Sequence, residues 1–232
     1  MLFTSPVYSQ ASGSIAGVTY SHNRGGMYTR ARVTPTDPSS SRQQGLRAAM
    51  GTLAPYWGQT LDAAQRAAWD LYAANVPWQN PLGQTIFLTG QQHFLRCNVP
   101  RIPYAIAILD DAPEVYDLGT FTAPTIFSAK DNDNFQIAFT NTDEWASNIG
   151  GYLLPYAGKQ QGPGRAFYRG PWRAMSAIAG AEVPPESPDE IGTTYPPLTE
   201  DNIVWLQCRI IQVDGRLSLP IILGPKTITA AV

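Results

Sequence analysis

The strongest structural signal in the chain is the stretch Ile203–Leu223, which reads IVWLQCRIIQVDGRLSLPIIL. Two runs rich in aliphatic residues, Ile203–Val213 and Arg216–Leu223, flank the dipeptide Asp214-Gly215. This dipeptide between two such runs is typical of a tight β-hairpin, because both residues tolerate the positive φ angles that the turn needs. The stretch therefore predicts two long antiparallel strands near the end of the chain.

Shorter runs of the same kind precede this hairpin and are separated by turn residues. The candidate strands are Thr125–Ser128, Phe135–Thr140, Gly151–Pro155 and Trp172–Ile178. Several short strands at close spacing favour a β-sandwich over residues 120–232. The proline-rich segment Val183–Leu198 is expected to be an exposed connection, because proline cannot donate to the ladder of a central strand.

The preceding region has helical periodicity. Leu46, Met50, Leu53 and Trp57 fall on one stripe of a helix, and Pro55 predicts that the regular helix ends near Leu53 or Ala54. Two capping boxes then predict further helix starts. One joins Asp62 to Gln65 and opens a helix that runs to about Ala74; the other joins Thr89 to Gln92 and opens a short helix that ends before Pro100.

The N-terminal stretch predicts a β-hairpin. Ile15–Tyr20 and Met27–Val33 flank Asn23-Arg24-Gly25-Gly26, in which Asn and Gly supply turn conformations. The hairpin has too few large aliphatic residues for a core of its own, and an isolated two-stranded ribbon is marginal in water. It therefore packs either on the helical region or on a neighbouring subunit. We expect the second, as an assembly arm whose contact residues are Tyr20, Arg24, Tyr28, Arg30 and Arg32.

Together these patterns predict an α+β protein in three parts. They are an extended β-hairpin arm at residues 1–37, a small helical domain at 38–119 and a C-terminal β-sandwich at 120–232.

The charge distribution bears on partners. Residues 1–50 carry five arginines and one acidic residue, although the whole chain has a net charge of −2. A basic N-terminus on an acidic body predicts contact with an acidic partner, such as another copy of the chain. Five arginines are a thin footprint for DNA, so no nucleic-acid partner is expected. We also expect no signal peptide, no membrane span and no disulfide between Cys97 and Cys208.

Reactive residues are sparse. His22 lies beside the predicted turn, and His93 and Cys97 lie one helical turn apart, which leaves a Cys–His pair open beside the simpler interpretation of a buried thiol. Asp131–Asn134 permits calcium but favours a plain turn, and the acidic linker Asp110, Asp111 and Glu114 is expected to be solvated or to receive a neighbour's arm. The sequence thus predicts no catalytic residue, no metal, no cofactor and no enzymatic activity.

One loop offers a candidate ligand site. Gly162-Pro163-Gly164 predicts a tight turn, and it is followed by Arg165, Phe167, Tyr168 and Trp172. Aromatic rings and arginines on a loop suit a host surface glycan or a receptor. The alternative is a hairpin tip whose aromatic side chains fold into the sandwich.

Two resemblances cover nearly the whole chain. The last 110 residues resemble a fibronectin-III or immunoglobulin-like domain in Ala123-Pro124, Phe135–Phe139, Gly151–Tyr156 and the strand with Trp205 that ends in Asp214–Ser218. The first 110 resemble a group of bacteriophage and prophage structural proteins. The motifs that carry this second resemblance are Gly17–Tyr20, Asn23–Gly26, Arg30, Pro35, Gln43-Gln44, Arg47, Gln65–Trp69 and Leu88–Gln92.

The resemblance implies a virion component that has no catalytic residues. We therefore expect a non-enzymatic virion structural protein, made in the host cytoplasm, that assembles through its arm with copies of itself and other virion proteins. Capsid decoration, the neck and the tail are the roles consistent with it. The alternative is a carbohydrate- or receptor-binding module that acts through the C-terminal sandwich.

Overall fold

The computed structural model describes residues 2, 10–34, 36–37, 39–117, 121–130, 134–192 and 198–230. The chain forms two compact units, Met1–Leu95 and Arg96–Val232. Helices and antiparallel sheets occur together, which confirms the α+β class. The three-part division of the chain stays a prediction.

The first unit begins with a three-stranded antiparallel sheet in the order β1-β2-β3. Its strands are β1 (Gly13–Ile15), β2 (Val18–Asn23) and β3 (Gly26–Ala31). The turn at Asn23–Gly26 was predicted correctly, with Asn23 opposite Gly26. The predicted first strand was wrong, because a second tight turn at Ala16-Gly17 divides it and Ala16 adopts a φ of 51°.

Three helices follow. They are α1 (Ser41–Gln59), α2 (Ala63–Asn75) and α3 (Gly90–Asn98), with the small hairpin of β4 (Trp78–Gln79) and β5 (Thr85–Ile86) between the last two. Both predicted capping boxes are confirmed, at Asp62 with Gln65 and at Thr89 with Gln92.

The predicted end of α1 was wrong, since the helix continues through Pro55 to Gln59. The last turn of α1 packs on the aromatic ring of Phe94, whose centroid lies 6.1 Å from that of Tyr56 and 5.7 Å from that of Trp57. This packing offsets the backbone hydrogen bond that proline removes. The predicted apolar stripe of α1 is buried only in part, because Leu53 is buried whereas Leu46 and Met50 are exposed.

The second unit contains two antiparallel sheets. One has the order β10-β8-β12-β13, with β9 also on β8, and the other has the order β11-β7-β6. Their strands are β6 (Thr125–Ala129), β7 (Asn134–Ala138), β8 (Tyr152–Gly158), β9 (Trp172–Ala174), β10 (Ile178–Ala179), β11 (Asp189–Gly192), β12 (Ile203–Ile211) and β13 (Ile221–Thr227). A 3₁₀ turn at Ile102–Tyr104 and the short helix α4 (Glu144–Ser147) complete the unit.

One cluster of buried side chains lies between the two sheets. Phe135 and Ile137 of β7 and Ile191 of β11 pack there with Leu206 and Ile210 of β12. The segment around Ile191 corrects the prediction that 183–198 is only an exposed connection, because β11 pairs with β7 at the edge of the smaller sheet. Proline density excluded a central strand but not an edge strand.

The turn predicted at Asp214-Gly215 is present as a three-residue loop, but the bounds of the strand predicted at Arg216–Leu223 were wrong, because β13 begins at Ile221 and Leu217 makes only an isolated bridge to Ile211. Gln212 N–H donates to Arg216 O, and Gly215 has a φ of 89°, the left-handed conformation expected at the end of such a loop. The side chain of Arg216 is only 7% exposed and contacts Asp214 at 2.6 Å, Asp117 at 2.7 Å and Glu144 at 3.6 Å. This cation therefore joins the turn to α4 and to the segment that precedes β6.

Gly180 allows the segment after β10 to approach α4. A Cβ atom there would collide with the backbone oxygen of Trp145 and lie 2.6 Å from that of Asn148. Because backbone atoms cannot rotate away, we expect Gly180→Ala to lower the free energy of unfolding of the second unit by about 3 kcal/mol. Gly192→Ala is the matched control, since nothing lies within 4 Å of its Cβ position. Urea denaturation of both variants tests this, and equal midpoints would contradict it.

Candidate functional site

The N-terminal sheet has one apolar face and one polar face. The register places Val18 opposite Ala31 and Tyr20 opposite Thr29, so Ile15, Val18, Tyr20 and Ala31 share a face. Ile15 is 74% exposed and Val18 is 37% exposed, although both are apolar. In the described part of the chain, the side of β1 away from β2 pairs with no strand. This face and edge resemble a surface that another chain covers.

The structure distributes the five predicted arm residues over different surfaces. Tyr20 lies on the apolar face, whereas Tyr28 and Arg30 lie on the polar face. Arg32 follows β3, and its N–H donates to Gly17 O. The predicted residues therefore lie on more than one face of the sheet, and their role in assembly stays a prediction. The sequence analysis could not place Ile15 and Val18 on one face, because it treated Ile15–Tyr20 as a single strand.

The tip of the hairpin docks within its own unit. Arg24 Nη1 donates to the carbonyl oxygen of Phe87 at 2.9 Å, and Asn80 Nδ2 donates to that of Gly25 at 2.8 Å. A cleft of about 340 Å³ lies beside these contacts and is lined by residues of the tip and of 78–92. The tip therefore packs on its own unit, whereas Ile15, Val18, Arg30 and Ala31 remain exposed on the faces of the sheet.

The loop between β8 and β9 in the second unit is anchored by Tyr168. Its ring stacks on Trp205 at a centroid distance of 6.0 Å and meets Trp172 edge-on at 5.0 Å. Its hydroxyl accepts from the N–H of Lys159 at 3.0 Å and donates to the carbonyl oxygen of Pro171 at 2.8 Å. Tyr168 is 6% exposed and Trp172 is partly buried, so these two predicted ligand residues belong to a packed cluster.

Phe167 has the opposite environment, with 62% of its side chain exposed. The guanidinium carbons of Arg165 and Arg169 lie 5.7 Å and 5.8 Å from the centroid of its ring. Phe167 and Arg169 line a groove of about 310 Å³ together with Trp205 and with Ile222 and Pro225 of β13. Two residues of the predicted ligand loop, Arg165 and Phe167, are therefore accessible to solvent. Arg169 and Ile222, which the sequence analysis did not select, are accessible beside them.

Cys97 and Cys208 are both buried, which disfavours a nucleophilic cysteine. Burial raises the pKa of Cys97 to about 11 and that of Cys208 to about 12, so both thiols are protonated at neutral pH. His93 is buried too, with its ring 5.1 Å from that of Tyr72 in an edge-on arrangement, while His22 is exposed as expected.

The structure bears in part on the candidate calcium loop and on the question of a membrane-spanning helix. Asp131–Asp133, the first three residues of the candidate calcium loop, lie outside the described residues. Among the residues described, no group of three or more His, Cys, Asp or Glu side chains is placed to hold a metal ion. The described helices also include none that is both long and apolar enough to span a bilayer.

Comparison of the chain with protein-family models, with curated proteins and with solved structures finds no match. The candidate sites therefore rest on the residues and geometry described above.

The anchoring role of Tyr168 predicts a loss of stability when its hydroxyl is removed. Tyr168→Phe takes away the acceptor of Lys159 N–H and the donor to Pro171 O. We expect the free energy of unfolding to fall by about 1–3 kcal/mol, because buried polar groups lose their partners. Phe167→Leu, one residue away and exposed, is the control and should be nearly neutral. Urea denaturation distinguishes the two, and equal effects would contradict the anchoring role.

The burial of the thiols predicts their reactivity. At pH 8 the folded protein should react with Ellman's reagent far more slowly than the urea-unfolded protein. The pKa of Cys97 is raised above its ordinary value of 9.0 to about 11, so its contribution to stability is complete below pH 9 and is lost as the pH rises toward 11. A fast reaction of either thiol in the folded state at pH 8 would contradict this account.

Proposed function

We propose that this protein is a non-enzymatic structural component of a bacteriophage virion that assembles with copies of itself through the N-terminal sheet. The observation that carries the proposal is the apolar face of this sheet, on which Ile15, Val18 and Ala31 are exposed and Tyr20 is half-buried. Isolated exposed apolar residues are common, but a contiguous face on a thin sheet is typical of a contact surface.

The shape of the N-terminal sheet favours assembly over a role in folding of the first unit. Its tip is tied to the unit through Arg24 and Asn80, and Tyr28 of β3 forms a bridge to Leu2. The strands β1 and β2 contribute no residue to the buried core of the described chain. A sheet that buries so little within its own chain gains stability by covering its apolar face with a neighbour.

Backbone pairing would add to this contact. The outer edge of β1 presents N–H and C=O groups to a strand of another chain, and strand addition of this kind supplies main-chain hydrogen bonds. The first unit has six basic and three acidic residues, whereas the second has ten basic and fifteen acidic residues. Unlike charge on the two units favours contact between the first unit of one copy and the second unit of another.

The second unit is proposed to be an immunoglobulin- or fibronectin-III-like sandwich. Labelled A to G in chain order, β6, β7 and β11 correspond to strands A, B and E, and β8, β12 and β13 correspond to C, F and G. The observed orders β11-β7-β6 and β8-β12-β13 are then the E-B-A and C-F-G orders of that fold. Such a module is consistent with decoration, neck or tail positions and with contacts to other virion proteins, but the fold alone does not assign one.

The non-enzymatic part of the proposal is supported by the positions of the two thiols. Cys97 was the nucleophile candidate of the sequence, and burial raises its pKa to about 11. A protonated and inaccessible thiol cannot attack a substrate at neutral pH.

A pair of double variants tests the assembly surface. Ile15→Lys with Val18→Lys places two charges on the apolar face, whereas Ser14→Lys with Thr19→Lys adds the same charge to neighbouring positions on the opposite face. We expect the purified chain to form oligomers and the first variant to raise their dissociation constant by about 100-fold, since burying a charge in an apolar contact is costly. The control should stay within about threefold of the wild type.

Light scattering over a range of protein concentrations provides the measurement, and circular dichroism confirms that both variants fold. Deletion of residues 1–36 should abolish assembly and leave the second unit folded. A wild-type chain that stays monomeric at all concentrations, or equal assembly of the two double variants, would contradict assembly through this face.

A further inference from the structure

The groove beside Phe167 is a fixed surface. Phe167 and Arg169 flank Tyr168, whose ring is packed against Trp205 and whose hydroxyl makes two hydrogen bonds. Gly158 permits this packing, because a Cβ atom there would lie 2.6 Å from the ring of Tyr168. A ligand that binds at Phe167 therefore loses little free energy to ordering of the loop.

The groove also carries unneutralised positive charge. Arg165 donates through Nε to the carbonyl oxygen of Phe167 at 3.2 Å, and both Arg165 and Arg169 lie over the Phe167 ring. Among the described residues neither guanidinium forms an ion pair with a carboxylate. Two guanidinium groups that share one exposed ring, with no acid beside them, suit a carboxylate of a ligand, which arginine binds through paired hydrogen bonds.

The remaining walls are apolar. Ile222 is 57% exposed, and it lines the groove with Pro225 and Trp205. The volume of about 310 Å³ is at the lower end of the range for small-molecule sites, roughly 300–1,000 Å³. A single pyranose ring fits such a volume, and it combines an apolar face of C–H groups with polar groups around its edge.

From this geometry we infer that the groove lined by Phe167, Arg169 and Ile222, together with Arg165 beside the Phe167 ring, binds a saccharide that carries a carboxylate, such as a hexuronic or sialic acid. The C–H groups of the sugar pack against Ile222 and against the part of the Phe167 ring that the two guanidinium groups leave exposed, and the carboxylate is held by the two arginines. The inference is independent of assembly through the N-terminal sheet, which lies in the other unit.

Two other anionic partners fit the groove less well. The second unit has five more acidic than basic residues, so it repels an extended polyanion such as nucleic acid even where two arginines attract one charge. An acidic peptide would add to the edge of β13, which pairs only with β12 among the described strands. Pro225 lies in that edge and has no N–H to donate, which weakens strand addition beside the groove.

Saturation-transfer NMR on the full-length protein tests the inference, with glucuronate and N-acetylneuraminate as probes. Glucose is the matched neutral probe for glucuronate, because it differs only where the carboxylate is replaced by a hydroxymethyl group. We expect Kd for the acidic sugars to be on the order of 1 mM and binding of glucose to be at least about tenfold weaker. Added salt should weaken the binding of the acidic sugars, since the groove is open to solvent.

Variants identify the site. The double variant Arg165→Gln with Arg169→Gln should weaken the binding of the acidic sugars by about tenfold or more. Phe167→Ala should weaken the binding of both the acidic sugars and glucose by a similar factor. Phe127→Ala is the matched control, because Phe127 is 57% exposed and lies on β6, outside the groove. Circular dichroism shows whether each variant is folded, and the exposure of the replaced side chains predicts that it is.

Several results would overturn the inference. They are the absence of binding of either acidic sugar to the wild type at about 20 mM, about twenty times the expected Kd, equal affinity for glucose and glucuronate, and unchanged binding in the groove variants. Tighter binding of a glutamate-rich peptide or of a single-stranded oligonucleotide at the same residues would assign the groove to that other class of ligand. The oligomeric state of the same samples reports separately on the N-terminal sheet.

Discussion

The pairing of β8 with β12 is the constraint on which the second unit depends. Side chains alternate across a strand, and both faces of β12 carry large apolar side chains: Leu206 and Ile210 face the other sheet, while Trp205 and Ile211 face away from it, with Gln207 and Arg209 between them. Large apolar side chains on both faces of a sheet must be covered on both faces. The smaller sheet covers one face. The other is covered by Tyr104 and Ile106 at one end and by the loop with Tyr168 at the other, so the loop that carries the candidate ligand residues is held in place by covering the sheet.

The sequence predicted those features that local residues determine. The capping boxes at Asp62 and Thr89 and the turn at Gly215 each need only a few neighbouring residues, and all three are present. It failed where tertiary contacts override a local rule. Pro55 is kept inside α1, whose next residues pack on Phe94 from a distant helix, and β11 pairs with β7 despite the prolines around it. No local pattern reports such contacts.

The candidate ligand site shows the same limit at the scale of single residues. Phe167 and Tyr168 are adjacent aromatic residues, and composition alone cannot assign one to the solvent and the other to the interior. The assignment comes from partners that are distant in sequence: Trp205 stacks on Tyr168, and Gly158 leaves room for its ring. Ile222 reaches the groove from another strand, so a search confined to residues 162–172 could not find it.

The two candidate surfaces share a physical basis. Each exposes apolar side chains on a backbone that internal contacts fix, through the docked tip of the N-terminal hairpin in one unit and through the bonded hydroxyl of Tyr168 in the other. A flexible segment with the same residues would lose conformational entropy on binding, and that loss offsets much of the gain from burying a few side chains. Surfaces as small as these bind only if the folded chain has already ordered them. For both proposed interactions we therefore expect the internal hydrogen bonds beneath the surface to be as important as the exposed residues.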